Sequence, residues 1–208
     1  MKFFYYPGSC SLASRIVLEE CGAKYDAVKV NLREGQQRAA EFLKINPKGK
    51  VPALVLDDGT TVTENPAIMM HLADAHPEAG LLAGNADPAR TRALEWLLWC
   101  ASTIHPLFSH VFAPARFVDG EESQKSLAAK ARDSLHKQLE MFDQQLRGRA
   151  FVVGDRFSIA DTYTPVFWHW CRKLGLTAGD AHRAAVEKII SRPAVQRALA
   201  GDELRLEL

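Results

Sequence analysis

The chain has 208 residues, 47% of them hydrophobic and 25% charged, ordinary globular usage with enough apolar surface for a substantial core. Its 26 basic residues balance 25 acidic ones, and neither half forms a basic stripe, which argues against nucleic acid as a partner. Cys10, Cys21, Cys100 and Cys171 lie far apart with no CxxC pair, so neither a disulfide framework nor a metal site is expected; with no run of about 20 apolar residues and no export signal in MKFFYYPGSC, the expectation is a cytoplasmic protein with no membrane partner.

In chain order, residues 2–6 read as a strand stopped by Pro7-Gly8. Ser9 or Cys10 opens a helix that runs to Cys21, with Leu12, Ile16, Val17 and Leu18 on its apolar face and Gly22 ending it. Val28 and Val30 mark a second strand over 25–32, and 36–45 is a polar helix before Asn46-Pro47. Residues 51–56 and 60–63 form a hairpin about Asp58-Gly59. Asn65 as N-cap and Pro66 at the first helical position then open a helix carrying Ile68, Met69 and Leu72. This order predicts a four-stranded mixed sheet with flanking helices over residues 1–78. Residues 79–88 read as a linker. Beyond it, over 89–208, strand signals nearly vanish. Long helical patterns cover 90–109 and 122–146, and shorter ones cover 158–174, with a kink expected at Pro165, then 181–191 and 193–199.

Three places carry chemistry. Cys10 sits at a predicted helix N-terminus, where free N–H groups and the positive helix end favour an anion. Its thiol pKa is expected to fall from about 8.5 toward neutrality; a small buried apolar residue is the other reading. Val51-Pro52 is a candidate cis peptide that would offer the Val51 N–H and C=O to an extended peptide; an edge-strand proline in trans is the alternative. Glu64 and Asn65 join a strand to a helix, so Glu64 can pair an ammonium and Asn65 a carboxylate, or both can be plain capping. All three fall at one end of a thioredoxin-like sheet. Together they match a thiol, a peptide backbone and a free amino-acid end, the three parts of glutathione.

In these residues the chain resembles the cytosolic glutathione transferases, most of all the bacterial beta class. YYPGSCSLASRI is similar to that class's opening motif with Cys10 in its cysteine place, NPKGKVPAL to the cis-proline segment, TENPAIMMHLAD to the acidic clamp, and GDRFSIAD to the capping box in which Ser158 caps and Asp161 reaches back. The resemblance implies an N-terminal thioredoxin-like domain and an all-helical C-terminal domain. It implies an enzyme that binds glutathione as co-substrate and conjugates its thiolate to small electrophiles, with Cys10-dependent thiol–disulfide exchange as a second mode. It also implies a homodimer, to which the apolar faces of 90–109 and of Ile68, Met69 and Leu72 would contribute. By the same resemblance Cys10 and His105 are the catalytic pair, and Ser9, Ser11, Val51, Pro52, Glu64, Asn65 and Ser102 hold glutathione. Phe108, Phe112, Phe117 and Trp168 are expected to line an apolar pocket for the electrophile.

The chain departs from the beta pattern at Leu98, where an asparagine is usual, and at Pro106, where many members have lysine. Pro106 removes a donor and disfavours helical backbone at His105, so a kink is expected there. Tyr5 occupies a place similar to the activating tyrosine of other classes but reads here as core. Trp168, His169, Trp170 and Cys171 point in different directions on one helix, which reads as core aromatics rather than a metal site. The rival function is a non-catalytic ligand-binding or regulatory partner protein on the same fold.

Overall fold

The computed structural model describes residues 1–208. Strands β1 (Lys2–Tyr5), β2 (Asp26–Lys29), β3 (Ala53–Val55) and β4 (Thr61–Thr63) form one sheet in the order β2-β1-β3-β4, with β1 and β2 parallel and the other pairs antiparallel. Alternation along β1 sends Phe3 and Tyr5 to one face and Phe4 to the other. The first face packs against α1 (Ser11–Glu20) and α3 (Asn65–Ala75). The second is covered by Phe42 of α2 (Ala40–Ile45), together with Val30 and Val51.

The predicted second strand over 25–32 is shorter in the structure, where all four residues of β2 lie exposed on the sheet edge. The predicted helix over 36–45 breaks at Ala39, whose ψ of 145° is extended, leaving a 3-10 turn before α2. Asn65 is the first residue inside α3 rather than its cap; the cap position belongs to Glu64.

Past residues 80–87, six helices make the second unit: α4 (Pro88–Trp99), α5 (His105–Phe112), α6 (Glu121–Leu146), α7 (Tyr163–Leu174), α8 (Asp180–Ile190) and α9 (Pro193–Gly201). Asp87 caps α4 by accepting from the Ala89 N–H. The kink expected at Pro106 is absorbed differently. A π-turn over Cys100–Ile104 joins α4 to α5, the His105 N–H donates to the Cys100 carbonyl, and His105 keeps helical backbone. The wider turn relieves the clash of the proline ring with the preceding turn. Pro165 lies in the first turn of α7, where no interior hydrogen bond is lost, so no kink arises.

One apolar core runs through both units, from Phe3, Leu12 and Ile16 to Phe108, Phe142, Tyr163 and Phe167. Ile68, Met69 and Leu72 are buried inside it, so they supply no free face for a second copy. All four cysteines are free thiols. No helix is long and apolar enough to cross a membrane.

Candidate active site

The turn from β1 into α1 is built by its own hydroxyls. The Tyr6 carbonyl accepts from the Ser9 N–H, and Ser11 Oγ donates to the same carbonyl at 3.1 Å. The Tyr6 N–H donates back to Ser11 Oγ, and the Ser11 N–H donates to Ser9 Oγ. The Ser11 side chain is therefore wholly buried and internally satisfied. Its hydroxyl shapes the turn, whereas the sequence expectation gave Ser11 to glutathione. Ser9 is half-buried at the turn's surface.

Cys10 takes the N-cap position of α1, yet its side chain caps nothing. Its thiol instead donates to the Val51 carbonyl at 3.7 Å. Burial pushes the thiol up to about 12, outweighing the lowering hydrogen bond from Asn65. This runs against the expected fall toward neutrality, because desolvation of a buried thiolate exceeds the lowering hydrogen bonds from the Asn65 side chain and the Cys10 N–H.

Val51-Pro52 is cis. The Val51 N–H donates to no atom of the chain, so the residue whose carbonyl accepts from the Cys10 thiol keeps one unpaired backbone donor. Glu64 stands at φ 72°, ψ 125°, in a region few side-chain-bearing residues occupy. Its carboxylate is 62% exposed and meets Lys48 Nζ at 2.8 Å; Lys48 also donates to Thr63 Oγ1. Asn65 faces the other way. Buried at 4% exposure, its amide donates to the Cys10 carbonyl at 2.9 Å and to the Tyr163 hydroxyl at 3.2 Å, while Ser14 Oγ donates to its oxygen. Its side chain thus joins the two domains beneath the site instead of holding a carboxylate; only its backbone N–H at the helix start is left for that task.

His105 lies half-buried with its ring centroid 5.0 Å from that of Trp170 and 6.2 Å from that of Tyr163. Burial, with the neighbouring Lys50 charge, lowers it to about 4, so it is neutral at pH 7. Ser102 Oγ donates to the Leu98 carbonyl one turn back, and Leu98 itself is 51% exposed.

The four residues expected to line an electrophile pocket separate. Phe108 is fully buried between Phe167 and Trp170. Phe112 is partly exposed, with its ring edge toward Trp170. Phe117 pairs with His110. Trp168 points to the far side of α7, packs on His182 and donates to the Glu207 carbonyl. Trp168 and Phe117 are therefore not brought to Phe112; Trp170 stands there instead. Tyr5 is core, its ring beneath the Arg15 guanidinium at 3.8 Å. Sequence reasoning missed Lys48, Tyr163 and Trp170. Only Lys48 left a signal, as a cation within the cis-proline segment.

Among known proteins, the model of the glutathione S-transferase N-terminal domain matches residues 8–75, and that of the C-terminal domain matches residues 96–193. Glutathione S-transferase GstA of Escherichia coli is 38% identical over 208 residues, covering 99% of this chain and 100% of its own. A solved sphingomonad glutathione S-transferase complexed with glutathione superposes with a TM-score of 0.86 at 41% identity, over 99% of this chain and 100% of that one. The bacterial beta class glutathione S-transferase of Sphingomonas chungbukensis does so with a TM-score of 0.87 at 37% identity and the same coverage.

Proposed function

Because the chain belongs to the glutathione S-transferase family, we propose a division of labour among its residues for glutathione conjugation. The chain is a glutathione transferase, similar to the bacterial beta class. The Val51 N–H and C=O pair with the backbone of the bound tripeptide, and Glu64 leaves Lys48 in part to meet the γ-glutamyl ammonium. The Asn65 N–H, at the start of α3, meets the neighbouring carboxylate. The observation that carries this reading is the Cys10–Val51 contact at 3.7 Å, which sets the thiol beside the residue that keeps an unpaired backbone donor.

Bound glutathione loses its thiol proton to solvent. Its sulfur then forms a bond to an electrophilic carbon, and the leaving group departs with its electron pair. Cys10 remains protonated and, on glutathione binding, swings its S–H from the Val51 carbonyl to the glutathione sulfur, stabilising the thiolate over the thiol. A buried thiol pushed up to about 12 is suited to donate a proton in a hydrogen bond and ill suited to attack a disulfide. Neutral His105 and the exposed edge of Phe112 offer an apolar electrophile a surface between the domains.

We also propose a homodimer working in the cytoplasm. Four free thiols suit a reducing compartment, and Leu98 leaves a large apolar side chain outside the core. Light scattering is expected to give twice the 23.1 kDa chain mass; the single mass removes the dimer. For the site, Glu64→Ala is expected to weaken glutathione binding by about 1–2 kcal/mol, the lower part of the range for a charged hydrogen bond because Glu64 is exposed. Calorimetry with Tyr5→Phe as reference tests this, and equal affinities would place the γ-glutamyl end elsewhere.

A further inference from the structure

The turn carrying Cys10 is held from the other domain. The Gly8 N–H donates to Asp202 Oδ2 at 3.2 Å, and the Gly8 carbonyl accepts from Trp170 Nε1 at 2.9 Å. These two groups belong to the peptide planes on either side of the Gly8 Cα, so together they fix both of its dihedral angles. Gly8 stands at φ 68°, and a Cβ there would meet His169 Nε2 at 3.0 Å, so the turn requires glycine and inherits its freedom. Pro7 before it is rigid and α1 begins at Ser11, which leaves Gly8 as the soft point between strand and helix.

Asp202 is itself anchored. It follows α9, lies buried, and its other oxygen accepts from Arg15 Nη1 of α1 at 2.9 Å. The Arg15 guanidinium carbon lies 3.8 Å from the Tyr5 ring centre, and a Cβ on Gly201 would come within 2.7 Å of its Nη1. A buried ion pair is weak evidence for stability as such. Here it aims the second carboxylate oxygen at one backbone N–H.

We propose that Asp202 and Trp170 are positioning residues for the glutathione site: from the helical domain they clamp the Gly8 peptides and so hold the Cys10 thiol against Val51. The consequence for glutathione rests on the function proposed above; the consequence for the Cys10 thiol does not.

The test compares three variants. Trp170→Phe keeps an aromatic ring and removes the donor to Gly8. The double variant Arg15→Met with Asp202→Leu removes the other half of the clamp without stranding a buried charge. Arg192→Gln is the control: it breaks the two-pronged pair with Glu20, which also ties the domains together, at 2.6 and 2.8 Å, without touching Gly8. Cys10 alkylation by iodoacetamide, followed by peptide mass without glutathione, is expected to quicken about three- to tenfold in the clamp variants, the effect of one net hydrogen bond. The KM for glutathione is expected to rise by a similar factor in both, and in the Arg15→Met/Asp202→Leu variant, which leaves the Trp170, His105 and Phe112 surface in place, the KM for the electrophile stays within about twofold. Arg192→Gln is expected to lower the melting temperature and leave both readouts in place. Should Trp170→Phe, which keeps the ring, leave Cys10 alkylation unchanged, the clamp does not exist. Should Arg192→Gln move both readouts equally, the effect is general domain cohesion and the proposal falls. Faster alkylation with an unmoved glutathione KM would keep the clamp and overturn its role in the site, and no glutathione binding by the wild type would remove the function while alkylation still judged the clamp.

Discussion

At Cys10 two effects compete, and burial decides. A helix N-terminus favours a thiolate by typically 0.3–1 kcal/mol, and by up to about 2 in partly buried geometries. The Cys10 side chain makes no capping bond to α1 and donates to the Val51 carbonyl, and removal from water, outweighing the lowering bonds from the Asn65 side chain and the Cys10 N–H, pushes it up to about 12. The chemistry follows the protonated form. Cys10→Ser keeps an O–H donor and is expected to retain most of the conjugating kcat/KM, whereas Cys10→Ala loses the donor and falls about 10- to 100-fold, the scale of a hydrogen bond to a charged group. Alkylation of Cys10 against pH is expected to show no inflection below about 9. A midpoint near neutrality, or equal loss in the two variants, would return Cys10 to the role of nucleophile. The place of Cys10 was readable because strand, turn and helix signals lie within ten residues of one another. Its protonation state was not, because the groups that bury it come from Val51 and Asn65, distant in sequence.

At the scale of elements, local signals survive where a short motif closes on itself. The Ser158–Asp161 capping box forms as its spacing suggests: the Asp161 carboxylate accepts from the Ser158 N–H at 2.8 Å and the Ala160 N–H donates to Ser158 Oγ. Asp161 does more than the motif predicts, since its other oxygen accepts from the Val152 N–H at 2.7 Å, pinning the preceding turn. Ser158→Ala is therefore expected to cost about 1 kcal/mol, and Asp161→Ala about 3 kcal/mol, because two N–H groups lose their acceptor. Denaturant unfolding of the two variants checks the order; equal losses would mean the Val152 bond contributes nothing. Asn65 shows the opposite case. Its sequence fits an N-cap, yet a buried slot between Ser14, Cys10 and Tyr163 satisfies its amide on all sides, and Glu64 takes the cap position. The aromatic pocket failed for a similar reason: helical spacing cannot say that Trp170 and not Trp168 turns toward Phe112.

For the molecule as a whole, the division into a sheet unit and a helical unit was legible from periodicity alone, but the seam between them was not. That seam consists of pairs such as Arg15 with Asp202, Arg192 with Glu20 and Asn65 with Tyr163, each joining residues about 100 or more positions apart. One cost of so extensive a core is that imidazoles are buried with it. His105, His169 and His182 are each lowered to about 4, in every case chiefly by desolvation. His182 is wholly buried, between the rings of Phe142 and Trp168, with Nε2 on the Thr164 carbonyl and Nδ1 without a partner. In the unfolded chain it takes up a proton near pH 6.5, whereas the folded protein resists until about 4. Its contribution is therefore complete above pH 6.5, declines as the pH falls, and is lost by about pH 4, a swing of roughly 3 kcal/mol. Asp161 and Asp202, raised to about 6 by burial, oppose it over the same interval, because they bind protons more readily folded than unfolded. A comparison that removes one histidine and leaves both carboxyls in place isolates the term. The unfolding free energy of His182→Gln is expected to fall less steeply than that of the wild type between pH 6.5 and 4, whatever its value at pH 7, since glutamine has no proton to gain. Denaturant titrations at half-unit pH steps measure both slopes, and parallel curves would mean that the folded protein admits a proton at His182 as readily as the unfolded chain does.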